Sequence, residues 1–127
     1  MTLSYPRREK LKSKKRIEQL FVEGKNVTSF PLKLIYLETA LPDQIKVQAG
    51  VAVSKKRFKS AVKRNRIKRL LRESYRLNKT IAMGNTEKSY AFLILYIGKE
   101  MPTYPVIEKQ LQHLFKKFNA KTNAQIG

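Results

Sequence analysis

The sequence predicts an α/β (α+β) protein, and three of its patterns lead there. Residues 32–37 and 45–54 carry apolar side chains at the period of strands, and residues 90–97 are apolar at nearly every position, as in a strand covered on both faces. Residues 64–77 and 107–118 instead repeat their apolar side chains at the period of a helix. A chain of 127 residues has the length of one domain, so these elements are expected to share one core as a single unit, residues 1–127.

Residues 1–12 are basic, contain Pro6 and show no apolar period, which predicts a mobile arm. Ser13 can cap a helix, Ile17, Leu20 and Phe21 fall at i, i+3 and i+4, and Gly24 is a stop, so a short helix is expected over 14–23. In 32–37, Leu32, Leu34 and Tyr36 share one face of a strand, with Ile35 and Leu37 on the other. A turn at 40–44 leads to 45–54, where Ile45, Val47, Ala49, Val51 and Val53 alternate with Lys46, Gln48 and Gly50; the two strands are expected to pair as an antiparallel hairpin. Residues 81–89 read as a polar connection, and 90–97 as the central strand, ended by Gly98. Beyond Pro102 and Pro105, Ile107, Leu111, Leu114, Phe115 and Phe118 define the clearest amphipathic helix; residues 119–127 are expected to fray.

The chain has 28 Lys and Arg against 9 Asp and Glu, a formal charge of +19, yet 42% of its residues are hydrophobic. It can therefore build a core and must carry its charge on the surface of a folded protein, which points to a polyanionic partner. Zero cysteines exclude disulfides, thiolate zinc sites, iron–sulfur clusters and cysteine nucleophiles, and fit a reducing, cytoplasmic setting. The longest apolar run is far short of the ~20 residues of a membrane-spanning helix. The basic N-terminus has no apolar stretch behind it, so neither a secretory signal nor a membrane partner is expected.

Residues 55–79 concentrate the charge: Lys55, Lys56, Arg57, Lys59, Lys63, Arg64, Arg66, Lys68, Arg69, Arg72, Arg76 and Lys79, with Glu73 the only acid. At about 100° per residue, Ile67, Leu70, Leu71, Ser74 and Leu77 gather on one arc, while Arg64, Asn65, Lys68, Arg69, Arg72 and Arg76 gather opposite. Ser60 is the candidate cap. A merely solvated helix face would be supported by i,i+4 ion pairs, which one acid among so many cations does not supply. Guanidinium groups give phosphates bidentate donors and can stack on bases, and the Asn65 amide suits a base edge or a ribose hydroxyl.

Lys63-Arg64-Asn65-Arg66-Ile67-Lys68-Arg69-Leu70-Leu71-Arg72-Glu73, preceded by Val51-Ala52-Val53-Ser54-Lys55-Lys56 and Ala61-Val62, resembles the signature helix of the bacterial ribonuclease P protein family. The likeness covers most of the chain, with Lys59-Ser60 where many relatives have Gly-Asn and Ile17 where relatives often have an aromatic. The resemblance implies a compact sandwich, a mixed sheet of about four strands with three helices, and a left-handed βαβ crossover around the signature helix. It implies a protein subunit that assists a catalytic RNA in removing the 5′ leader from precursor tRNA. By the same resemblance Arg64, Asn65, Arg66, Lys68, Arg69 and Arg72 would meet the catalytic RNA, and a cleft between the first helix and the sheet would hold the leader. The partners implied are the catalytic RNA and precursor tRNA, with no further protein required, and Mg2+ would be held mainly by RNA.

Single-stranded RNA is commonly held by aromatic faces interleaved with cations, and Phe21, Tyr36, Lys55, Lys56 and Lys99 are the candidates for such a cleft. Phe21 reads equally well as core. No catalytic residue or metal site is expected in the protein: His113 is the only histidine, the acids are scattered, and no glycine-rich phosphate loop is present. Three rival classes fit less well. A ribosomal protein would place its charge in irregular extensions, a duplex-DNA regulator would show a helix-turn-helix, and a membrane-surface helix would need a broader apolar arc.

Overall fold

In the computed structural model, which describes residues 4–83 and 87–123, four strands form one mixed sheet covered by three helices. Helix α1 (Lys14–Glu23) begins where the Ser13 hydroxyl accepts from the Arg16 N–H at 3.2 Å. It stops at Gly24, where an added Cβ would stand 2.4 Å from the Leu20 carbonyl oxygen and 2.7 Å from Ile35 Cγ2; the helix end lies too close to the sheet for any other residue. Strand β1 (Lys25–Ser29) turns through Phe30-Pro31 into the antiparallel β2 (Leu32–Glu38). Nothing in the sequence marked β1, since Val27 is its only apolar residue.

Strands β3 (Val47–Val53) and β4 (Tyr90–Tyr96) complete the order β1-β2-β4-β3. Here the structure corrects the expected hairpin. β4 lies between the other two, antiparallel to β2 and parallel to β3. The alternation in residues 45–54 decides which side chains face the core, not which strand is the neighbour. The strand apolar on both faces gains most from the central position, and β4 takes it. Helix α2 (Ala61–Met83) is the crossover between the parallel neighbours, and Ser60 caps it by accepting from the Lys63 N–H at 3.3 Å. Gly84, Asn85 and Thr86 of the expected connection lie outside the described residues.

Helices α2 and α3 (Tyr104–Asn123) cover one face of the sheet, where Leu32, Leu34, Tyr36, Phe92 and Ile94 meet Ile67, Leu71, Leu111, Phe115 and Phe118. Helix α1 covers part of the other, where Leu11 and Leu20 pack on Ile35, Ala91 and Leu93.

Described residues of the expected arm and of the expected tail make specific contacts with the sheet and with α2. Leu11 donates its N–H to the Ala49 carbonyl at 2.9 Å, the Tyr5 hydroxyl donates to the same oxygen, and the Tyr5 ring stands edge-on to Tyr75 at 5.1 Å. The arm thus covers the open edge of β3, a contact made by single residues with no period to betray it. Residues 1–3 of the expected arm, and residues 124–127 of the expected tail, lie outside the described residues. Residues 119–123 continue α3, with the Asn119 amide donating to the Ile81 carbonyl at 2.7 Å. Lys117 and Lys121 donate to the Thr28 and Asn26 carbonyls at 2.7 and 3.2 Å, which blunts the opposite edge at β1.

The arm is held by one largely buried ion pair, Lys79 Nζ to Glu9 Oε1 at 2.8 Å. Glu9→Gln is expected to cost about 1–3 kcal/mol in urea unfolding, because it leaves the Lys79 ammonium buried with a weaker partner. Adding Lys79→Met should recover part of that loss. A Glu9→Gln variant as stable as the parent would show that the arm does not unfold with the rest.

Candidate nucleic-acid interface

Helix α2 turns its periodicity into two faces. Ile67, Leu71, Ser74 and Tyr75 are buried, while Asn65, Arg66, Arg69 and Arg72 are exposed and Lys68 is half-buried. The apolar arc is rotated slightly from the expected one: Leu77 is 36% exposed, and Tyr75 and Asn78 are turned inward. Asn78 is fixed there by donating to the Ser74 carbonyl at 2.8 Å and accepting from Gln112 Nε2 at 2.9 Å. Lys79, one of the basic residues of the segment, is also buried, on Glu9.

Arg64 differs from its neighbours on the stripe. It is half-buried, and its Nη1 donates to the Phe58 and Lys59 carbonyls at 2.7 and 2.9 Å, so it holds the chain leading into α2. Replacing it would disturb that connection as well as any RNA contact. Among the described residues no ion pair engages Arg66, Arg69 or Arg72. Glu73 is taken by Arg76 at 2.6 Å, and that hydrogen-bonded pairing holds the Glu73 carboxyl below its ordinary pKa.

Sequence reasoning missed what lies beside this stripe. Tyr5 and Lys10 of the arm face Asn65, Arg69 and Arg72 across a groove of about 470 Å³. The Lys10 ammonium sits over the Tyr5 ring, 5.3 Å from its centre. Burial pushes the Tyr5 phenol up to about 12 despite the opposing charge of Arg72, so it stays neutral and keeps its bond to β3. An aromatic among basic residues was the available signal, hidden once the segment was read as mobile.

The second surface is the sheet face that α1 leaves partly open. Paired residues Thr28, Lys33, Leu95 and Ala52 form a row across all four strands, with Thr28 exposed and the others half-buried. On one side of the row stands α1, from which Phe21 projects 59% exposed; it is not core. On the other side, the parallel strands β3 and β4 end together, which brings Lys55 and Lys56 to the same edge as Lys99, all three exposed. Arg57 bridges them, donating from Nη1 to the Ile97 carbonyl at 2.6 Å.

Tyr36 does not belong to this surface. It shares a strand face with Leu32 and Leu34, as expected, but that face is turned to α3, away from α1. Tyr36 is 5% exposed, packed edge-on against Phe118 and Tyr90 at 4.9 and 6.2 Å, and burial raises its phenol pKa. The parity was right and the side was wrong, because parity cannot say which helix covers which face. His113 is exposed on α3, and among the described residues no three His, Asp or Glu side chains are grouped to hold a metal ion. No helix among them is long and apolar enough to cross a membrane.

A cationic helix face and an open sheet face on one small fold narrow the comparison with known proteins. The family model described as Ribonuclease P matches residues 5–119. The chain belongs to that family. The ribonuclease P protein component of Porphyromonas gingivalis is 34% identical over 116 residues, covering 87% of this chain and 83% of its own. That of Chlorobium phaeobacteroides is 36% identical over 124 residues, covering 87% and 85%. Among solved structures, the RNase P protein from Thermotoga maritima superposes with a TM-score of 0.69 at 21% identity, covering 85% of this chain and 96% of that one. The Staphylococcus aureus RNase P protein gives 0.68 at 22%, covering 86% and 94%. These likenesses establish the fold. As a ribonuclease P protein, the chain is an RNA-binding subunit of that endoribonuclease, and its partner is the ribonuclease P RNA.

Proposed function

We propose that this chain binds the catalytic RNA through the exposed face of α2 and the 5′ leader of precursor tRNA through the open sheet face, and so assists leader removal in the cytoplasm. The observation that carries the reading is the separation of two chemically different surfaces. The α2 face offers Arg66, Arg69 and Arg72 without acid partners among the described residues, suited to the phosphates of a folded RNA. Asn65, Lys68 and part of Arg64 complete it. The sheet face offers apolar side chains, the Phe21 ring and the cations Lys33, Lys55, Lys56 and Lys99, suited to an extended single strand whose bases stack while its phosphates are neutralised. The α2 crossover joins the two, so one rigid unit can hold leader and catalytic RNA in register.

The protein's part in the chemistry is positional and electrostatic. Its described carboxylates and its histidine are not grouped to hold Mg2+. The Mg2+ of an RNA-catalysed cleavage would be held mainly by RNA, and the charge of +19 would replace part of the cation atmosphere that folded RNA requires. Added to a bacterial ribonuclease P RNA, the chain is expected to restore precursor tRNA cleavage at Mg2+ concentrations where the RNA alone is inactive. RNA-free protein should not cleave; robust cleavage by it would overturn this reading.

A further inference from the structure

A pocket of about 630 Å³ lies where the sheet ends, within the ~300–1,000 Å³ typical of ligand pockets. Its walls come from the Phe30-Pro31 turn, the segment after β4, the first turn of α3 and Arg57. Three of the seven large apolar side chains exposed among the described residues line it: Phe30 at 68%, Met101 at 37% and Val106 at 45%. Apolar exposure gathered in one hollow of so charged a protein marks a binding site.

The hollow is built. Tyr96 donates its hydroxyl to the Glu100 carbonyl at 2.5 Å, which fixes the outer segment. Ile97 donates its N–H to the Pro31 carbonyl at 2.8 Å, tying that segment to the turn. At Gly98 an added Cβ would stand 2.5 Å from Tyr96 Oη and 3.1 Å from Pro31 Cβ, so the wall is closed around a missing side chain. Arg57 and Lys99 line the same hollow as the apolar groups.

We propose that this pocket takes one unstacked nucleobase of the leader strand. Apolar walls and an exposed phenyl ring suit the flat face of a base, and two cations suit its phosphate. Continuity selects the leader over the catalytic RNA. Lys99, which stands with Lys55 and Lys56 at the edge of the open face, also lines the pocket, and Arg57 of the same edge forms another part of its wall. The inference rests on the leader reading above and adds to it a single position that the protein grips.

The test uses holoenzyme assembled from this chain and a ribonuclease P RNA, with precursor tRNAs carrying one abasic nucleotide moved stepwise along the leader. With the parent protein, one position is expected to weaken binding about tenfold, the scale of one lost stack. Phe30→Ser and Met101→Ser, both at exposed positions, should weaken binding of the intact precursor by a similar factor, erase the positional effect and leave mature tRNA and catalytic RNA affinity unchanged. A positional effect that survives in both variants, or intact-precursor binding equal to the parent's, would overturn the proposal. So would a loss confined to catalytic RNA affinity. If leader shortening and Lys33→Ala still weaken binding in those cases, the leader reading stands and only the pocket fails. If shortening the leader has no effect on the parent holoenzyme, both fall.

Discussion

Arg69→Ala combined with Arg72→Ala is expected to weaken assembly with the catalytic RNA by about 3 kcal/mol, roughly a hundredfold in affinity. Both side chains are exposed on the outward arc of α2, and neither is engaged by an acid among the described residues. Their removal therefore deletes charge-assisted contacts without opening the core. The thermal midpoint should stay near the parent's. The salt dependence should flatten too, the slope of log affinity against log salt falling in magnitude by about one to two, as two phosphate contacts are lost. Arg64→Ala is a poorer probe, because the Phe58 and Lys59 carbonyls would lose their donor.

Tyr36→Ala is expected to damage the fold rather than leader recognition. The ring is buried between Tyr90 and Phe118, and its deletion should cost about 3–5 kcal/mol, lowering the melting temperature by roughly 10–20 °C. Tyr36→Phe keeps the ring and should stay within about 1.5 kcal/mol of the parent. For the fraction of Tyr36→Ala that remains folded, precursor and mature tRNA should bind as they do to parent holoenzyme. A selective loss for the precursor with unchanged melting would put Tyr36 back at the leader.

Helices were legible in the sequence because each has a long-range apolar period and two also carry capping residues: Ser13 and Gly24 bracket α1, Ser60 caps the start of α2, and Ile107 to Phe118 set the buried face of α3. Strand identity was legible too, except for β1, where five residues hold one apolar side chain. Strand order was not. Two alternating segments joined by a turn are compatible with a hairpin, and only the need to cover β4 on both sides separates them. The same limit applies to the site. The α2 stripe lies on one helix and could be read by stepping around it, whereas the second surface is assembled from all four strands and the chain after β3 and β4. Lys33 acquires its neighbours only when β1 and β4 pair on either side of β2, Arg57 only once β3 and β4 run parallel, and Tyr36 was assigned to the wrong side because strand parity does not say which helix covers which face.

The central claim, two separate RNA surfaces on one fold, is tested most directly by site-specific crosslinking, which the absence of native cysteine makes simple. Glu73→Cys places one thiol beside Arg69 and Arg72, and Thr28→Cys places another in the open row beside Lys33. Each is to be labelled with a short photoreactive group in holoenzyme bound to precursor tRNA. The expected result is crosslinking from position 73 to the catalytic RNA and from position 28 to the leader, the latter vanishing with mature tRNA. Crosslinks from both positions to the same RNA, or a position-28 crosslink unchanged when the leader is removed, would contradict the account.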